Sequence, residues 1–194
     1  MSNKFHKKEG ENKNMLLEIL EKSKKKNKII SIYSNKFETN KFSVGYIIEM
    51  DETYYIIARI SPYGEYDGYE LGKINDIYKI EYDGKYEKKI KQLYDYKNQS
   101  HNMLEELGEN LIYEFLNFVK DKELVISVEL CDSNLCDAQG YVKKVSIDNI
   151  EMDLIDEYGY NDGITDIDLK TVTSIICDSN DESILKILSK IEGK

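Results

Sequence analysis

The chain has 194 residues, of which 41% are hydrophobic and 33% charged, with a single Pro and a formal net charge of −10. This is the composition of a globular protein, neither collagenous nor disordered, and its length allows one ordinary domain or two small ones. No run reaches the roughly 18 apolar residues of a membrane helix, "MSNKFHKKEGENKN" lacks the apolar centre of a secretory leader, and three cysteines are an odd count for a disulfide framework, so the expectation is a cytoplasmic protein with free thiols and no membrane contact.

In chain order, residues 1–14 read as a polar tail. Met15, Leu16, Ile19 and Leu20 then recur at three-to-four spacing, the mark of a helix with one apolar face. Five short β-rich runs follow at 29–33, 44–50, 54–60, 68–73 and 77–82, each bounded by Asp, Asn, Gly or Ser, and Tyr86, Ile90 and Leu93 mark a closing helix. The second half repeats this order. Leu104, Leu107, Leu111, Phe115 and Phe118 outline a longer opening helix, runs at 124–129, 140–146, 150–155, 163–168 and 172–177 read as strands, and Ile184, Leu185 and Leu188 close the chain in a helix. Ile150, Met152 and Leu154 alternate with Glu151 and Asp153, as in a strand with one wet face.

The order is matched by sequence. "SVGYII" meets "AQGYVK", "YGEYDG" meets "YGYNDG" and "NDIYKIEYD" meets "KTVTSIICD", all 95 positions apart, while "ILEKSKKKNKIISI" and "FLNFVKDKELVISV" stand 96 apart. Constant order and spacing predict a duplicated unit, with boundaries at 15–96 and 97–194. A helix followed by five short strands, with a tight link before the last ("LGKINDIYKI", "DIDLKTVTSI"), resembles the Sm-like, SH3-type small β-barrel. The resemblance implies a mainly β, α+β fold of two tandem five-stranded barrels with flanking helices. In that family, the loop before the fifth strand carries an Arg/Lys-Gly signature that forms a uridine pocket; here the stretches are "KINDI" and "LKTV", so the fold is implied without the RNA site.

Charge separates the halves. Residues 1–97 carry 19 Lys and Arg against 16 Asp and Glu, a net of +3, and residues 98–194 carry 8 against 21, a net of −13. An acidic second half suits a basic protein partner and opposes nucleic acid, which would need cations to replace its counterions. The Lys-rich stretches 22–28 and 85–91 keep RNA binding as the alternative, although the heavy use of Lys, Ile, Asn and Tyr also follows from an AT-rich bacterial genome.

Catalytic constellations are not legible. His6 and His101 are the only histidines, Cys131 and Cys136 stand at C-x4-C spacing without further paired ligands, Cys177 reads as a small buried hydrophobe, and no phosphate-cradling glycine motif occurs. A non-catalytic protein without cofactor or metal is therefore expected. Its candidate partner-binding residues are Tyr63, Glu65, Tyr66 and Tyr69 in the first half, and Tyr158, Tyr160 and Asn161 in the second; tyrosine offers large contact area at low entropic cost. The same rings could instead cover the barrel mouth or pack on a helix. Gly64, Asp67 and Gly68, with Gly159, Asp162 and Gly163, read as the chemistry of tight turns. The expected partner is a basic protein or a second copy of the chain.

Overall fold

The computed structural model describes residues 2–101, 104, 107–108, 110–133 and 135–192, with side chains from residue 14 onward. Helix α1 (Ser2–Lys25) leads into β1 (Ile29–Tyr33), β2 (Ser43–Met50), β3 (Tyr54–Ile60), β4 (Tyr66–Lys73), a 3-10 turn (Ile74–Asp76), β5 (Lys79–Tyr82) and α2 (Lys85–Tyr96). The second half runs α3 (Leu111–Asp121), β6 (Val125–Leu130), β7 (Ala138–Val145), β8 (Asn149–Ile155), β9 (Asn161–Asp168), a 3-10 turn (Leu169–Thr171), β10 (Val172–Cys177) and α4 (Asn180–Glu192). The mainly antiparallel α+β class is as expected. Helix α1 runs through the stretch read as a tail, and α3 starts later than the leucine spacing implied: Asn110 caps it by accepting the Tyr113 N–H, while Leu104 and Leu107 precede it. Residues 102, 103, 105, 106 and 109 of that expected helix lie outside the described residues.

Among the described residues, ten strands join one sheet in the order β5-β1-β2-β3-β4-β10-β6-β7-β8-β9. The pairing does not close on itself: where two tandem barrels are expected, the strands form one continuous open sheet with β5 and β9 as its edges. The seam is antiparallel: Ser174 lies opposite Gly72, Ile175 opposite Leu71, Ile176 opposite Glu70 and Cys177 opposite Tyr69. Both halves order their strands alike, and their irregularities fall at matching places. Register shifts occur between Ile47 and Glu49 and between Val142 and Lys144, then between Ala58 and Ile60 and between Asp153 and Ile155.

Alternation assigns the strands' faces. Ile57 and Tyr55 of β3 turn to a core with Leu20 of α1 and Ile30 and Ile32 of β1. Ile56 and Ala58, on the other face, join Tyr69 and Leu71 of β4 in a second core with Leu111, Phe115 and Leu116 of α3. Helix α3 thus reaches both its own half, through Val142, Ile150 and Met152, and the preceding one. Each closing helix is pinned in the same way by a buried glutamate: Ser31 donates to Glu87 and Ser127 to Glu182, both at 2.6 Å. Each glutamate occupies the third helical position, where it favours the helix N-terminus. No described helix is long and apolar enough to cross a membrane.

Candidate functional site at the repeated turns and the seam

The "YGEYDG" motif divides into two pieces of backbone. The hairpin apex is Ser61–Glu65, where the Ser61 N–H donates to Glu65 and the Gly64 N–H to Ser61, with Gly64 at φ +71°. Asp67 and Gly68 are not at the apex. They lie inside β4 at the point where Ala58 pairs with Tyr69 and Ile60 with Tyr66, which makes them a β-bulge, with Gly68 at φ +69°. In the second half the apex is Asp156–Tyr160, with Gly159 at φ +87°, and Asp162 and Gly163 form the matching bulge inside β9. The turn chemistry expected of Asp67, Gly68, Asp162 and Gly163 is therefore bulge chemistry, and only Gly64 and Gly159 serve the turns.

The first half spends most of its candidate residues on itself. Tyr63 is exposed, Glu65 pairs with Lys97 at 2.5 Å, and Tyr69 is fully buried. Tyr66 is half-buried: its hydroxyl donates to Asp178 across the seam at 2.5 Å, its N–H donates to Gln99, and its ring stacks on His101 at 4.3 Å between centroids. In the second half Tyr158, Tyr160 and Asn161 are exposed, and the Asn161 side chain accepts only the nearby Gly163 N–H at 3.2 Å. Of the seven candidate partner-binding residues, Tyr63, Tyr158, Tyr160 and Asn161 lie open at the surface.

Around Gly68 the seam is tight. A side chain there would run into the backbone of Cys177, Asp178 and Ser179, where β10 leaves for α4, whereas nothing lies within 4 Å of the same position at Gly163. Beside Gly68, Arg59 reaches Asp67 at 3.1 Å and Glu70 at 3.7 Å, and Ser43 donates to Glu70. Glu70 is 6% exposed, so its charge is answered inside the protein. Burial pushes the Asp67 carboxyl upward, while Arg59 and the Asn180 backbone at the start of α4 pull it down. Arg59, the one arginine of the chain, thus turns into this network. The matched positions in the second half are Leu154, Asp162 and Thr165, so the ion network belongs to the seam alone.

His101, in the linker, sits between Tyr66 and Tyr94. The Tyr94 hydroxyl is 2.7 Å from Nδ1, and burial lowers the imidazole to about 4 against the pull of the Arg59 and Gly68 backbone carbonyls. Cys177 is buried on β10, where burial raises its thiol pKa, and Cys131 and Cys136 are exposed. No family model, curated protein or solved structure matches this chain.

One surface escaped the sequence reading. Leu185 and Leu188 hold α4 to the body, yet Ile184, Ile187 and Ile191 line its outer face at 55%, 59% and 58% exposure. The corresponding positions on α2 are Lys89, Gln92 and Tyr96. Gly159 packs on the backbone at Leu188 and Ser189, so the Tyr158–Tyr160 turn lies beside the last turns of this helix. The signal was present in the spacing of three isoleucines, but a helix closing the chain can bury either side.

Proposed function

We propose that this protein is a non-catalytic tandem of two Sm-like, SH3-type units that binds a basic protein partner through its second half. The observation that carries the reading is the outer face of α4: three isoleucines, more than half exposed, beside two exposed tyrosines in the half whose net charge is −13. Isoleucine and tyrosine bordered by charge have the make-up of an interface centre with a polar rim, and contiguous exposed apolar surface is unusual unless something covers it. The shared strand order and the matching bulges support the tandem.

The RNA alternative has less support. Of the five lysines in 22–28, Lys22, Lys24, Lys25 and Lys28 pair with Glu18, Glu49, Glu21 and Asp83, which leaves few cations to meet phosphates. Affinity capture from native lysate, run in parallel with the wild type and an Ile187→Asp, Tyr160→Ala variant, tests the reading. A basic protein retained by the wild type and lost by the variant supports it. Identical recovery by both, or recovery of RNA alone, overturns it.

A further inference from the structure

A cleft of about 600 Å³ lies at the seam, walled by the 34–42 loop of the first half, floored by β3 and β4, and faced from the second half by β6, Asp132 and β10. Two polar atoms in its lining are shut away from solvent without a hydrogen-bond partner: Tyr55 Oη and Asp76 Oδ2. Buried polar groups are costly unless something answers them. Tyr55 is fully buried, and it sits opposite Gly72, where any Cβ would collide with the phenol; the glycine leaves the space that the hydroxyl occupies. Ser34 faces the phenol without reaching hydrogen-bond geometry.

Asp76, in the 3-10 turn after β4, has its Oδ1 3.9 Å from Lys36, while Oδ2 is unmet. Asp132 approaches from the other half, held by Thr173, whose hydroxyl accepts its N–H at 2.9 Å and lies 3.3 Å from its Oδ1. Burial and the Asp132 charge raise the Asp76 carboxyl, against the pull of Lys36 and Lys73. The four cations that line the cleft are engaged: Arg59 with Asp67 and Glu70, Lys36 with Asp76 Oδ1, Lys41 with Glu38, and Lys73 with the Lys170 carbonyl at 3.1 Å. The vicinity therefore has acceptors in excess and wants a positively charged donor. Among the described residues, no three His, Cys, Asp or Glu side chains converge as a metal would need, so the cation that fits is organic. Phe42, Val44 and Ile176 give the remaining wall an apolar surface that suits a methylene stem.

We propose that the seam cleft binds a small aliphatic amine, its ammonium shared by Asp76, Asp132 and the Tyr55 hydroxyl. Calorimetry and thermal unfolding of the full chain at low ionic strength, with putrescine, spermidine and agmatine as probes and butanediol and succinate as charge controls, test this. At least one amine binds with 1:1 stoichiometry and raises Tm in proportion to dose. Asp76→Asn and Asp132→Asn each weaken it by about tenfold or more, as loss of a charged hydrogen bond does. Asp132 lies at the surface, so its variant keeps the test valid if Asp76→Asn fails to fold. Tyr55→Phe weakens the amine without lowering Tm in its absence. No heat and no Tm shift at millimolar amine, equal binding by both Asn variants and the wild type, or preference for succinate overturns the proposal. None of these residues lies on the α4 face, so amine binding and partner capture fail independently.

Discussion

The outer faces of β2–β4 and β7–β9 occupy equivalent places in the two halves, and apolar residues on the first give way to charged ones on the second at each place compared but Tyr69 and Ile164. Ile48, Ile56, Ala58, Tyr69 and Leu71 on the first correspond, 95 positions on, to Lys143, Glu151, Asp153, Ile164 and Asp166 on the second. The first face is roofed by α3 and is part of a buried core. The second face is left uncovered by the described helices and carries ion pairs, with Lys143 3.1 Å from Glu151 and 3.4 Å from Asp153. A sheet face without a covering helix is served by polar residues, because an uncovered apolar sheet is a template for association. Glu151, Asp153 and Asp166 are thereby explained as the wet side of an uncovered sheet, whereas the Tyr158–Tyr160 turn and the outer face of α4 set apolar groups side by side in solvent.

The comparison is broken most severely by exchanging residues across it. Ile56→Glu, which puts the second half's residue beneath α3, buries an unpaired charge and destabilises by about 4 kcal/mol or more in urea unfolding. The reverse exchange, Glu151→Ile, changes stability by less than about 0.5 kcal/mol but promotes self-association, read by sedimentation. If both substitutions cost the same, the contrast between a covered and an uncovered face fails.

A smaller effect separates the two bulge glycines. Gly68→Ala adds a methyl against the backbone of the seam at positive φ and costs about 2–3 kcal/mol, whereas Gly163→Ala meets only the backbone penalty of about 1 kcal/mol. Equal costs would mean that the seam is looser in solution than its packing implies.

The linker supplies a pH dependence with no counterpart at the free end. His101 has its imidazole lowered from 6.5 to about 4 by burial, so between those values the unfolded chain binds more protons than the folded one. Stability is full above about pH 6.5 and declines as pH falls toward 4, by on the order of 2 kcal/mol. In His101→Gln this segment of the stability profile flattens; an unchanged slope would assign it to the carboxylates. Least in size, Tyr66→Phe removes the hydroxyl bond to Asp178 across the seam and costs about 1–2 kcal/mol, while Tyr160→Phe at the exposed turn is neutral by the same denaturant measurement.

The strands were legible because their causes are local: alternation of apolar residues, Asp, Asn and Gly at the boundaries, and the capped starts of the helices are written within a few neighbours of each residue. β1, β3 and β10 fall where the sequence places them, and the other seven strands shift by one or two residues at one end or both. The candidate site was legible in part. Tyr63, Tyr158 and Tyr160 are exposed as a partner-binding reading requires, but Tyr69 belongs to the core and Tyr66 to the seam. Nothing near Tyr69 in the chain marks the difference, since what covers it is α3, more than forty residues later.

By itself the sequence determined the order of elements, the doubling of that order and the asymmetry of charge, all of which follow from residue type and spacing. Only the tertiary structure decided that "YGEYDG" is a turn followed by a bulge, that the described strands run on as one sheet, and that Arg59, Tyr55, Asp76 and Asp132 line one cleft at its seam. The physical reason is that a sheet edge offers the same N–H and C=O groups whatever its sequence. Which edge β10 joins depends on how β4, α3 and the linker pack around it, and that packing is a sum over contacts from both halves that no single stretch of the chain contains.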